Sequence, residues 1–185
     1  MRVITGSARG TRLQAPEGLN TRPTAERVKE ALFSIIQFEI EGRRVLDLFA
    51  GSGQLGIEAL SRGAKRAVFV DSRSDAVQII KANVKRCHFE DQATILCTDY
   101  AAFLSSNKDR FDLVFLDPPY AESFLENALK KITAIDIVAD GGIIICERPV
   151  EKELSLELEG YTRSRDYRYG KVLLCLYRKT GATNA

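Results

Sequence analysis

The chain has 185 residues, 45% of them hydrophobic, enough for one domain with a full apolar core. The formal net charge is only +2, and four cysteines without CxxC spacing exclude a disulfide framework and a cysteine-ligated metal site. No apolar run could span a membrane, and the charged first residues lack the apolar stretch of a signal peptide, so a cytoplasmic protein is expected.

The first twenty residues, rich in Gly, Arg and Thr, suggest a short strand or hairpin around Arg2-Val3-Ile4-Thr5. Thr24 then precedes Ala25, Val28, Ala31, Leu32, Ile35 and Ile36, a spacing that predicts a helix with one apolar face and Thr24 as its N-cap. After Gly42 strands and helices alternate. Strands are expected at Val45–Phe49, Ala67–Val70, Ala93–Cys97, Asp112–Leu116 and Gly142–Cys146, with helices at Gly53–Ser61, Ser74–Arg86 and Phe124–Ile135. The strands are nearly unbroken apolar runs, as in a parallel sheet covered by helices on both faces. Tyr161–Tyr167 and Lys171–Tyr177, separated by Arg168-Tyr169-Gly170, read as an antiparallel hairpin. The expected fold is therefore α/β: a seven-stranded, mostly parallel, Rossmann-like core over residues 42–185 with an N-terminal extension and helix over 1–41. Cys87, Cys97, Cys146 and Cys175 read as buried thiols, and His88, the only histidine, has no ligand-bearing neighbours, so no metal is expected.

Asp47-Leu48-Phe49-Ala50-Gly51-Ser52-Gly53-Gln54-Leu55-Gly56 joins the first strand to its helix. Gly51, Gly53 and Gly56 match GxGxxG, a signal shared by many nucleotide-binding folds. Glycines admit close approach of a ligand, and the helix N-terminus offers unpaired N–H groups. Asp71, about twenty residues on, is placed to accept ribose hydroxyls, as in NAD and S-adenosylmethionine (SAM) sites alike. Asp47 separates the two cofactors. A carboxylate there repels a pyrophosphate but attracts the α-ammonium and sulfonium of SAM. Asp99, past the third strand, could accept from an adenine amino group.

Asp117-Pro118-Pro119-Tyr120 follows the fourth strand and so lies on the same sheet edge. Two prolines stiffen the loop and remove two N–H donors, leaving acceptors. Acceptors suit an exocyclic base amine. Its lone pair is conjugated into the ring, and hydrogen bonds to the Asp117 carboxylate and Pro118 carbonyl can turn it toward a methyl donor. Tyr120 offers a stacking face, and a base inside a duplex must be flipped out to reach it. Next to N2 guanine carries N1–H, a donor, whereas adenine carries an acceptor next to N6; an acceptor-only aspartate leans toward guanine.

Both ends are basic. Arg2, Arg9, Arg12, Arg22, Arg27 and Lys29 stand near the start, and Arg163, Arg165, Arg168, Lys171, Arg178 and Lys179 near the finish. Two basic segments around a more acidic middle suggest a polyanionic partner.

Together Asp47-x-Phe49-x-Gly51-x-Gly53 and Asp117-Pro118-Pro119-Tyr120 resemble class I SAM-dependent amino-methyltransferases. Ala8-Arg9-Gly10, Thr21-Arg22-Pro23-Thr24, Arg27-Val28-Lys29-Glu30-Ala31-Leu32-Phe33 and Gly56-Ile57-Glu58-Ala59-Leu60-Ser61-Arg62-Gly63-Ala64 extend the resemblance to the RsmD family over nearly the whole chain. Ser34 and Gln54 depart mildly from that pattern. The resemblance implies methylation of a guanine N2 in 16S ribosomal RNA, free or in an assembling small subunit, by a monomer. It also implies that Asp47, Phe49, Ala50, Gly51, Ser52 and Gly53 line the methionine moiety, that Asp71 and Ser72 serve the ribose, and that Asp99 and Tyr100 serve the adenine. Arg22 and Thr24 would close over the cofactor, and Asp117, Pro118, Pro119 and Tyr120 would hold the base. Arg2, Arg9, Arg12, Arg163, Arg165, Arg168 and Lys171 would contact RNA. The alternatives are an adenine-N6 DNA methyltransferase, a nicotinamide-dependent oxidoreductase, and a non-catalytic RNA-binding module of the same fold.

Overall fold

The computed structural model describes residues 1–15, 23–119, 123–154 and 157–181, with the side chains of 23–25 left aside. Its elements are α1 (Pro23–Ile35), β1 (Arg44–Asp47), α2 (Gln54–Ser61), β2 (Arg66–Asp71), α3 (Ser74–Arg86), β3 (Ala93–Cys97), α4 (Tyr100–Ser106), β4 (Phe111–Leu116), α5 (Phe124–Ala134), β5 (Val138–Pro149), β6 (Tyr161–Arg163), β7 (Tyr167–Tyr169) and β8 (Val172–Lys179). The strands form one sheet in the order β3-β2-β1-β4-β5-β8-β6, with β7 also paired to β8. The first five are parallel; β8 runs antiparallel to β5, β6 and β7. No helix of the described residues is long and apolar enough to cross a membrane.

Strand alternation divides the core between the two faces. Val45, Phe69, Phe115 and Ile145 pack under α1, α2 and α3, whereas Leu46, Val70, Leu116 and Cys146 pack under α4 and α5. The N-terminal segment turns back on itself, with an antiparallel bridge between Arg2 and Arg12. Buried Val3 and Leu13 anchor it to the first cluster.

Several expectations are corrected. Among the described residues eight strands form, one more than expected, because the anticipated strand from Tyr161 to Tyr167 breaks at Ser164-Arg165-Asp166. There Asp166 bonds Arg148 at 2.7 Å and Arg163 at 3.0 Å. The hairpin is β7–β8, and its turn is Gly170-Lys171, with Gly170 at φ +61° supplying the left-handed conformation such a tight turn uses. Helix α4 was not anticipated. α1 begins at Pro23, so Thr24 lies in its first turn and does not precede it; proline at the first helical position costs no internal hydrogen bond. Cys97 is exposed, because edge strand β3 is only partly covered; Cys87, Cys146 and Cys175 are buried free thiols.

Candidate active site

The parallel strands deliver their polar ends to one edge. Asp47 closes β1, 2% exposed, and its Oδ2 accepts from the Gly56 amide at 3.0 Å. Burial, with Asp71 adding repulsion, pushes its carboxyl up to about 7. No lysine or arginine among the described residues pairs with it. A buried carboxyl facing the loop and lacking a cation is what the ammonium of SAM would complete. A pyrophosphate would meet repulsion there, and one helix N–H it could use is already taken by Asp47.

The loop above Asp47 depends on two left-handed glycines, Gly51 at φ +57° and Gly53 at φ +76°. Gly56 has another purpose. A Cβ there would lie 2.3 Å from the Phe69 ring, so this glycine lets α2 settle on β2. Asp71, ending β2, fixes the loop from the side: Oδ2 accepts from the Gly51 amide at 2.8 Å and Oδ1 from the Arg73 amide at 2.9 Å. A carboxylate retains further lone pairs, so two ribose hydroxyls can still be accommodated. Asp99 caps α4, accepting from the Ala101 and Ala102 amides through Oδ1, which leaves Oδ2 for an adenine amine. Ser72 lies between Asp71 and Arg73 on the same edge. The rings of Phe49 and Tyr100 lie 5.1 Å apart, and Phe124 joins them at 6.4 and 5.9 Å.

Asp117 follows β4, half-buried, with Pro118 buried and Pro119 exposed. Burial first, then Glu147 and Asp47, raise the Asp117 carboxyl well above the ordinary range. Tyr120 and Arg22 lie outside the described residues, as does the Thr24 side chain.

Four contributors escaped the sequence reading. Asn83, buried on α3, accepts from the Gln14 amide at 2.8 Å and donates to the Ser52 carbonyl at 2.9 Å, tying the N-terminal segment to the glycine loop. Glu58, fully buried on α2, accepts from the Ile4 and Thr5 amides and from Arg62, beside Lys29 at 3.8 Å. A polar residue within the apolar stripe of each helix was the available signal. Phe124 and Glu147 gave none, because their roles depend on strand register and loop path.

The family model described as conserved hypothetical protein 95 matches residues 1–178. The chain belongs to this family, that of the RsmD methyltransferases. YlbH of Bacillus subtilis is 40% identical over 184 residues, 98% of this chain and 100% of that protein. Ribosomal RNA small subunit methyltransferase D of Escherichia coli is 33% identical over 182 residues, 97% of this chain and 90% of that one. The solved structure of a Thermus thermophilus hypothetical protein superposes with a TM-score of 0.81 at 31% identity, covering 95% of this chain and 98% of that one. The fold of this RsmD family member is that of the class I SAM-dependent methyltransferases.

Proposed function

We propose that this chain transfers the methyl group of SAM to the exocyclic N2 of one guanine in 16S ribosomal RNA, in the cytoplasm, where small subunits assemble. The observation carrying the reading is that Asp47, Asp71 and Asp99 share a sheet edge with Asp117-Pro118. Asp47 and the backbone of Phe49 to Gly53 would hold the methionine moiety, Asp71 and Ser72 the ribose, Asp99 and Tyr100 the adenine. Bound SAM supplies a methyl group already activated by its sulfonium.

The protein then has to orient a nucleophile. The Asp117 carboxylate and Pro118 carbonyl accept the two N–H bonds of the amine and direct its lone pair toward the methyl donor, a positioning effect worth several kcal/mol. As the N–C bond forms, charge develops on nitrogen. Asp117 stabilises it and, with its raised proton affinity, can receive the proton that nitrogen must shed. The family resemblance would give Tyr120, which lies outside the described residues, the stacking role. Arg2, Arg9, Arg12, Arg165, Arg168 and Lys171 are exposed, where phosphates can reach them. Arg163 is turned inward toward Asp166 and Tyr177 and supports the hairpin from beneath. The DNA and nicotinamide alternatives find no support among the relatives.

The test is methylation of small subunits from cells lacking the endogenous enzyme, mapped by mass spectrometry. A single N2-methylguanosine in 16S RNA is expected. An N6-methyladenosine, or no product, overturns the reading.

A further inference from the structure

The N-terminal segment and α3 bring a row of cations to one flank of the molecule. Val3 and Leu13 point into the core, so by alternation their neighbours Arg2 and Arg12 point outward, opposite each other across the antiparallel bridge. The Val3 amide donates to the Thr11 carbonyl at 3.0 Å and the Leu13 amide to the Met1 carbonyl at 3.1 Å. These flanking bonds make Arg2 and Arg12 a non-hydrogen-bonded pair, the closer of the two kinds. α3 lies alongside. Asn83 bonds both backbone groups of Gln14, and Arg86 Nη1 donates to the Arg12 carbonyl at 3.1 Å. On the exposed side of α3, Lys81 and Lys85 stand one turn apart, and the chain from Ala76 to Phe89 contains no acid.

The fold gains nothing from this grouping. Like charges directly opposite on paired strands repel, and so do like charges four apart on a helix. Among the described residues no carboxylate pairs with Arg2, Arg12, Lys81, Lys85 or Arg86. Asp75, the acid on α3 itself, pairs with Arg73. The helix dipole favours Lys85 and Arg86 in the last turn, but it fades before Lys81 and has no bearing on the Arg2–Arg12 pair. A polyanion relieves the repulsion along the whole row.

We propose that Lys81, Lys85 and Arg86, together with Arg2 and Arg12, form a phosphate-binding track for RNA on the outer side of α3. The proposal rests on the RNA reading above and extends it to a helix that reading leaves out. α3 starts just past Asp71 at the sheet edge and leads about 20 Å away from it. It flanks the β2–β3 end of the sheet, whereas Arg165 and Arg168 stand beside β8, about 24 Å from β3 across the strands between. Cations at both ends of the sheet fit a folded RNA better than a short single strand.

The test measures binding of Lys81→Ala/Lys85→Ala to protein-free 16S RNA and to small subunits from cells lacking the endogenous enzyme, across a salt series. Both side chains are exposed, so melting temperature and SAM affinity should match wild type. Affinity for both targets should fall ~10-fold at low salt, and KM for small subunits should rise by a similar factor. The plot of log K against log salt should flatten by about 1.4 to 1.8, the share of two phosphates. Lys81→Arg/Lys85→Arg keeps both charges and should retain the wild-type slope. An unchanged slope in the alanine variant, or a loss that the arginine variant shares, would overturn the track. So would a loss on small subunits with none on protein-free RNA, which assigns the row to a ribosomal protein. Each of these outcomes leaves the RNA reading standing. Wild-type protein that binds neither target overturns that reading and this inference with it.

Discussion

Asp47 and Asp117 both hold a proton more tightly than an exposed aspartate does, and in each the leading cause is burial. Their consequences differ. Asp47 titrates near 7 when folded and near 3.8 when exposed to water. Between those values the folded chain keeps a proton that the unfolded chain has lost. Ligand-free stability from this residue is therefore greatest below pH 4 and falls as pH rises to about 7, by an amount of order 4 kcal/mol. Asp47→Asn should raise the melting temperature of ligand-free protein at pH 8 and leave it unchanged near pH 3.5, as scanning calorimetry can check. The same variant loses the charge proposed to meet the ammonium, so its SAM affinity should fall ~10–100-fold. In wild-type protein the affinity should weaken as pH drops below about 7, because a neutral Asp47 attracts no cation. Asp117→Asn should behave oppositely: near-normal SAM affinity by calorimetry, and kcat lower by ~100-fold or more, since an amide neither accepts as strongly nor takes up the released proton. Comparable loss of SAM binding in Asp117→Asn would contradict the division of roles. In wild-type protein kcat should rise with pH through the raised Asp117 range, where the carboxylate becomes available as an acceptor.

Helix α2 carries two jobs on two faces, and its short sequence is constrained by both. Its N-terminus supports the glycine loop, while Glu58 and Ser61 clamp the N-terminal segment: Ser61 Oγ accepts from the Ala8 amide and donates to the Thr5 carbonyl at 2.6 Å. Gly6 makes that clamp possible. At φ +90° a Cβ would stand 1.7 Å from the Ser61 carbonyl oxygen, backbone that cannot step aside. Gly6→Ala should detach the segment, cost ~1–3 kcal/mol in thermal unfolding and open residues 1–13 to protease. Because Gln14 is tied through Asn83 to Ser52, SAM affinity should fall too. None of this was legible from the sequence, where residues 1–15 showed only weak alternation. The parallel core was legible, since Leu113-Val114-Phe115-Leu116 and its companions are buried on both faces and read as unbroken apolar runs. So were the strand-end acids, because α/β topology sends every such end to one edge. α4 went unseen because Asp99 was read only for its charge, although an aspartate before Tyr100-Ala101-Ala102-Phe103-Leu104 is also a helix cap. The break at Ser164-Arg165-Asp166 depends on Arg148, which is distant in sequence and adjacent only once β5 and β8 pair.

Across the whole molecule the antiparallel strands bring a basic surface to the sheet edge that carries Asp117. Val172 lies opposite Pro149, so the β7–β8 turn projects from the same end of the sheet as Asp117 and Glu147. Arg165 lies over Tyr167 at 5.1 Å, and the rings of Tyr167 and Tyr169 pack against the core, leaving the cations outward. From the other flank Met1 Sδ reaches Ser52 at 3.2 Å, which brings the N-terminal arginines toward the glycine loop. A polyanion bridging the two basic segments would cross the proposed base site at Asp117. That arrangement separates two kinds of arginine that look alike in sequence. Arg165 and Arg168 are exposed, and reversing both to Glu should reduce 16S RNA affinity ~10-fold or more at low salt and flatten the plot of log K against log salt by about 1 to 2. Melting temperature and SAM affinity should be unchanged. Arg163 shares Asp166 with the buried Arg148, so Arg163→Glu should instead lower the melting temperature, with RNA affinity falling only as the hairpin loosens. Filter binding across a salt series, with calorimetry on the same samples, distinguishes them. An unchanged salt slope in the double reversal would remove the hairpin from the RNA path and leave the N-terminal segment as the remaining basic approach to Asp117.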